Sequence, residues 1–289
     1  MADNYVIFAD SSCDIEPELL AQWEVPFVSL TVKFDDETEA FSNFDRPFPA
    51  FYQKMRDGGV ARTAAANMDS FRQAFEPYVK AGKDVLYIGF SSGLSTTVNS
   101  GAMAAKELME EYPERKVITV DTFGASAGYG LLVYLAVQEK RRGADLEQLA
   151  KFVEDTRFHL CHWFTVDDLV YLKRGGRVSA AAAFVGGLLG IKPVLHMDDP
   201  GHLIPMFKVR GRKASIKALA DKYGELAVDP GHDTVFISHG DCIDDAKLLE
   251  KMLAERYGAK VELITYVGPV IGSHSGPGTL ALFFVGRER

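Results

Sequence analysis

Short apolar runs ending in small hydroxylated residues recur through the first two-fifths of this chain. Each is followed by a segment of helical period, and this alternation constrains the fold more than any other feature. Tyr5–Asp10 (YVIFAD), DVLYIGF (84–90) and Lys116–Asp121 (KVITVD) are short and almost uniformly apolar, as strands buried on both faces are. SFRQAFEPYVKAG (70–82), VNSGAMAAKELMEEY (98–112) and ASAGYGLLVYLAVQEKRRG (125–143) read as helices. SSCDIEPELLAQW (11–23) reads as a capped helix and VPFVSLTVKF (25–34) as a second strand region. Strands joined by helices imply βαβ units and a parallel sheet covered on both faces, an α/β fold.

The pattern changes after about residue 145. LEQLAKFVEDTRFHL (146–160) is helical in period, HWFTV (162–166) is strand-like, and a short helix follows. SAAAAFVGGLLG (179–190) reads as a small-residue helix. IKPVLHMDDPGHLIPMFKVRG (191–211) predicts a hairpin turning at DDPG. Two more helices (212–227 and 244–258) alternate with strands TVFISHG, KVELITYVGP and TLALFFVG. The expectation is two domains: residues 1–152, an α/β domain with hydroxyl-rich loops, and 153–289, a mixed α+β domain.

Ligands of open α/β sheets sit at the carboxyl ends of the strands. The loops there are DSS (10–12), FSSGLSTT (90–97) and DTFGAS (121–126), all predicted on one edge of the sheet. Helix capping accounts for one or two of these hydroxyls. The rest suit an anion, which a helix N-terminus also attracts. Late in the chain, GSHSGPGTL (272–280) sets His274 between two serines and before glycines that permit close backbone approach; a turn with a solvated histidine is the plainer reading. LKRGGRVS (172–179) ends like a helix whose last turn carries cations, which explains Lys173, Arg174 and Gly175 better than Arg177.

The formal net charge of −8 argues against a nucleic-acid partner. Cys13, Cys161 and Cys242 lack metal-ligand spacing, so no metal and no disulfide framework is expected. No basic-then-apolar leader and no run of eighteen apolar residues occurs, so a soluble cytoplasmic protein without stable membrane insertion is expected.

FADSSCD, Thr63 in RTAAAN, FSSGLSTT, LKRGGRVSAAAAFVGGLLGIKPVL and GSHSGPG, in that order, resemble the DegV family along nearly the whole chain. The resemblance implies a two-domain DegV-like fold that binds a long-chain fatty acid and has no catalytic residues or cofactor of its own. It implies a partner, the ATP-binding fatty acid kinase subunit, which converts the bound acid to an acyl phosphate for phospholipid synthesis. Thr63 and a serine of the loop would hold the carboxylate, Ser95 ahead of Ser91 and Ser92, with His274 nearby. Arg174 and Arg177 would serve the kinase encounter or phosphoryl transfer. TAAA and STT depart from the family's usual Thr-Ser-Gln-Pro and Ser-Gly-Thr strings. The chain alone is expected to be a monomer, and the C-terminal domain to form much of the acyl pocket. An alternative is a hydrolase or transferase of an acyl or phosphorylated substrate, with Ser95 as nucleophile and His274 as base. A third reading is a regulatory protein with a vestigial pocket.

Overall fold

Strand β1 (Tyr5–Asp10) is buried along its whole length because it lies inside a parallel sheet ordered β2 (Phe27–Val28), β1, β6 (Asp84–Gly89), β7 (Val117–Asp121). The computed structural model describes residues 4–178 and 190–289. Alternate residues serve opposite faces, as the two-residue strand period requires. Ile7, Leu86, Ile88 and Val120 join one core with the helices Ser126–Arg141 and Leu146–Thr156. Val6, Phe8, Val85 and Tyr87 join another with the helices Met68–Lys80 and Thr97–Glu111.

The second core is aromatic. The Phe8 and Phe75 ring centroids are 4.9 Å apart and those of Phe71 and Tyr87 4.8 Å. Truncating a buried Phe such as Phe75 to Ala would cost about 3–5 kcal/mol. Gly101 lets its helix close on Tyr87: a Cβ there would lie 2.5 Å from the ring.

A second sheet is mixed, in the order β10 (Leu203–Arg210), β9 (Ile191–Met197), β8 (Leu160–Thr165), β13 (Leu280–Val285), β11 (Val235–His239), β12 (Val261–Tyr266). Only the β11–β12 pair in it is parallel, among the described residues. Its first two strands form the hairpin expected at DDPG. Gly201 N donates to Asp198 O at 2.8 Å, and Gly201 holds φ +81, a conformation glycine adopts without penalty. The helix Ser126–Arg141 lies between the sheets, its core including Phe236, Ala281 and Phe283 of the second. This explains why it is apolar around most of its circumference. The helix Leu146–Thr156, which contains Phe152, packs on β6 and β7 of the first sheet.

Three parts differ from the sequence-based expectation. Residues 11–23 are not one helix: the Asp10 carboxylate accepts from Ser12 N at 3.1 Å, and Asp14 turns left-handed at φ 52. A single 3-10 turn, Ser11–Cys13, results, and a new helix, Pro17–Gln22, starts at its proline. The region 25–34 divides into β2 and β3 (Thr31–Phe34). The latter joins a small antiparallel sheet with β4 (Phe41–Ser42) and β5 (Ala61–Ala64), and the helix Phe48–Arg56 lies between these two strands in sequence. The helix expected over 179–190 lies, all but its last residue, outside the described residues.

Candidate functional site

Because β1, β6 and β7 run parallel, their carboxyl ends meet on one edge. Phe90 N donates to Asp10 Oδ2 at 3.0 Å, and Ser91 N donates to Gly124 O at 3.0 Å. Several of the hydroxyls gathered there fasten the loops, to each other or internally. Ser11 Oγ accepts from Leu30 N at 3.0 Å, Ser12 bonds Asp10, and Thr122 Oγ1 donates to Gly89 O at 2.8 Å. Ser91 is fully buried and donates to Gly201 O at 2.8 Å, docking the β9–β10 turn. Its hydroxyl is committed to that carbonyl, and Ser91 drops out of the set facing a ligand.

Beside this edge lies a cavity of about 560 Å³, a size suited to small ligands. Thr63, Ser92, Ser95, Arg177 and His274 all border it. Ser92 and Arg177 are exposed and the other three half-buried, which marks this end as the mouth. Phe90, Leu94, Phe164, Met197, Ile271 and Phe283 make much of the wall apolar.

Thr63 sits on β5, where alternation turns it inward between exposed Arg62 and Ala64. His274 comes from the helix Pro269–Ser275. Their Oγ1 and Nε2 atoms are 2.8 Å apart. Burial, with Arg177 close by, pushes the His274 pKa down to about 4, so the ring is neutral near pH 7 and has one donor and one acceptor nitrogen. Its Nδ1 has no hydrogen-bond partner and lies against Gly175, where a Cβ would collide with it.

Ser95 stands at the start of the helix Thr97–Glu111. Its Oγ accepts from Thr97 N at 3.2 Å and lies 2.8 Å from Thr97 Oγ1. It therefore occupies one free N–H of the helix start, just ahead of the N-cap Thr96, and borders the cavity at once, where the helix dipole favours negative charge. Arg177 bonds the rim: Nη1 to Gly175 O at 2.5 Å and Nε to Leu94 O at 3.4 Å. Arg174 is exposed, its guanidinium 5.7 Å from the Tyr171 ring, and it does not border the cavity.

Further in, the wall carries Ser126 and Ser238. Ser126 Oγ donates to Asp14 Oδ2 at 2.6 Å and lies 3.1 Å from Ser238 Oγ. Asp14 is 2% exposed; burial pushes its pKa up to about 7 against the hydrogen bonds that favour the anion. The loop holding Ser126 attracted attention in the sequence, whereas Asp14 was expected inside a helix and Ser238, inside an apolar strand, carried no signal. Among the described residues, no group of three or more His, Cys, Asp or Glu is placed to hold a metal. No described helix is long and apolar enough to cross a membrane.

Residues 4–287 match the model of the family described as "Uncharacterised protein, DegV family". The chain belongs to the DegV family. A DegV domain-containing protein of Clostridium perfringens is 44% identical over 287 residues, 99% of this chain and 98% of its own. A Thermotoga maritima relative, named a fatty acid-binding protein, is 32% identical over 98% of both chains. The solved structure of a DegV family protein from Thermus thermophilus, described for fatty acid binding, superposes with a TM-score of 0.88 at 28% identity. It covers 98% of this chain and 99% of its own. The α/β architecture described above is thus the DegV fold, and fatty acid binding is a property of relatives spanning the whole chain.

Proposed function

We propose that this chain binds a long-chain fatty acid in the 560 Å³ cavity, carboxylate at the mouth and hydrocarbon inside. The observation that carries the reading is the grouping of Thr63, Ser95 and neutral His274 at the half-buried end of a cavity with a largely apolar wall. A carboxylate leaving water needs several donors, and two hydroxyls beside a helix N-terminus meet that need without a competing charge. The chain supplies most of the affinity, at about 0.8 kcal/mol per buried methylene.

In this reading the protein is a carrier that presents the acid's carboxyl group to a separate ATP-binding kinase subunit, which forms the acyl phosphate. Arg177, exposed on the rim, and Arg174, exposed beside it, would meet that partner or the phosphoryl group. The hydrolase alternative requires His274 to activate Ser95. Instead His274 Nε2 faces Thr63, and the Ser95 hydroxyl is paired with Thr97.

Titration calorimetry of the delipidated protein with palmitate and oleate tests the reading. Saturable one-to-one binding is expected; no heat and no saturation with either acid would refute it.

A further inference from the structure

The helix Pro269–Ser275, which carries His274, starts without a cap of its own. Its N-cap residue, Gly268, has no side chain to meet the free N–H groups of the first turn. Asn43, 227 positions from Val270, supplies an acceptor: Val270 N donates to its Oδ1 at 2.8 Å. Asn43 Nδ2 donates to Ser11 O at 2.9 Å. One fully buried amide thus joins the loop after β1 to the start of the His274 helix.

A second buried side chain grips the same turn. Tyr52 is 0% exposed, and its hydroxyl donates to Val267 O at 2.6 Å. Gly272 leaves room for that hydroxyl, since a Cβ there would lie 2.5 Å from it. The Tyr52 ring centroid is 5.1 Å from that of Phe51, and Phe51 is 5.5 Å from Phe34, the last residue of β3. β3 pairs with β5, where Val32 stands opposite Thr63.

The stretch from Asn43 to Thr63 therefore holds both sides of the Thr63–His274 contact. The β3–β5 pairing aims Thr63, while Asn43 and Tyr52 set the helix. Val270 and His274 are four residues apart, about one helical turn, so the bond at Val270 N anchors the turn on which His274 stands. A displacement of about 1 Å would carry the 2.8 Å contact past hydrogen-bond range. Neither Asn43 nor Tyr52 borders the cavity.

We propose that Asn43 and Tyr52 are positioning residues for recognition of the carboxylate: they hold His274 Nε2 against Thr63 without touching the ligand. The inference rests on the fatty acid reading above and extends its head-group site to two residues outside the cavity.

Palmitate and hexadecanol share a chain and differ at the head. Each is titrated into delipidated wild type, Tyr52→Phe, Asn43→Ala, Thr63→Ala and the double variant Tyr52→Phe/Thr63→Ala. Tyr52→Phe keeps the ring and loses only the bond to Val267 O. It is expected to weaken palmitate about fivefold, the effect of one hydrogen bond, and to change hexadecanol, whose neutral head bonds more weakly, by no more than about twofold. Asn43→Ala should show the same selective loss, and Tyr52→Phe decides the matter alone if Asn43→Ala does not fold. In the Thr63→Ala background, Tyr52→Phe should cost palmitate nothing further, because the contact it positions is already gone. Unchanged palmitate affinity in Tyr52→Phe overturns the inference. So does an equal loss for both ligands, the mark of a purely structural role, and so do losses that simply add in the double variant. Each of these leaves the fatty acid reading intact, whereas wild-type protein that binds neither ligand refutes both.

Discussion

Thr63 and His274 are 211 positions apart in the chain, and their Oγ1 and Nε2 atoms meet at 2.8 Å. The contact joins the small antiparallel sheet to a short helix that precedes the last strand of the mixed sheet. It puts a hydroxyl and a neutral imidazole at the mouth of an apolar cavity, where a carboxylate would otherwise be hard to desolvate.

Removing either head-group hydroxyl should weaken binding. Hydrogen bonds to a charged group contribute about 1.5–3 kcal/mol, so Thr63→Ala and Ser95→Ala should each reduce palmitate affinity by about tenfold or more. Ser91→Ala should act on stability instead, because its partner is the Gly201 carbonyl. Calorimetric affinities and melting temperatures for the three variants separate these effects. Unchanged affinity in both Thr63→Ala and Ser95→Ala would remove the carboxylate from this position.

Gly175 controls His274 from outside the cavity lining. A Cβ at residue 175 would strike Nδ1, and the ring would have to leave Thr63. Gly175→Ala should therefore lower palmitate affinity about as much as His274→Ala, with an overpacking cost in stability of about 1–3 kcal/mol. Wild-type affinity in Gly175→Ala would show that the ring position does not matter to the ligand.

Chain length should register directly in affinity. At about 0.8 kcal/mol per methylene, each added carbon should tighten binding about fourfold until the cavity is full. A saturated series from decanoate to stearate measures the slope. A flat series would place the hydrocarbon outside the cavity.

Acid should destabilise the fold through its buried histidines. His274 and His196 each have their pKa pushed down to about 4 by burial, and that of His162 is pushed well below the usual value for the same reason. A depressed histidine resists protonation in the folded state only. Its stability contribution is complete above about pH 6.5 and is lost as pH falls to about 4, on the order of 3 kcal/mol for a shift of that size. The melting temperature should drop across that window, and less steeply in His274→Asn. An identical slope in the variant would mean that His274 titrates normally.

In the proposed carrier role, the cavity rim should matter more to the kinase subunit than to the acid. Arg177→Ala is expected to reduce acyl phosphate formation with the kinase subunit severalfold more than it reduces acid affinity. An equal loss in both assays would put Arg177 on the carboxylate instead.

The parallel sheet was legible because β1, β6 and β7 are apolar runs of five or six residues separated by segments long enough to hold helices. The hairpin was legible from DDPG. The small sheet was not: β4 has two residues and β5 has four, too few for alternation to rise above chance in ARTA. Thr63 therefore carried no strand signal, although β5 pairing is what aims it. The hydroxyl-rich loops do converge on one edge of the sheet, beside the cavity, but overstated the number of groups free for a ligand. Ser11, Ser91 and Thr122 close the loops, a role that depends on backbone partners distant in sequence, and Ser12 bonds the neighbouring Asp10 carboxylate. The clash between a Cβ at Gly175 and His274 is likewise visible only once the two helices pack.

Native mass spectrometry of the purified protein, followed by organic extraction and identification of what it carries, tests the central claim most directly. The account predicts a mass excess matching one long-chain fatty acid, displaced stoichiometrically by added deuterated palmitate. Protein at its bare sequence mass that takes up neither palmitate nor oleate would contradict it.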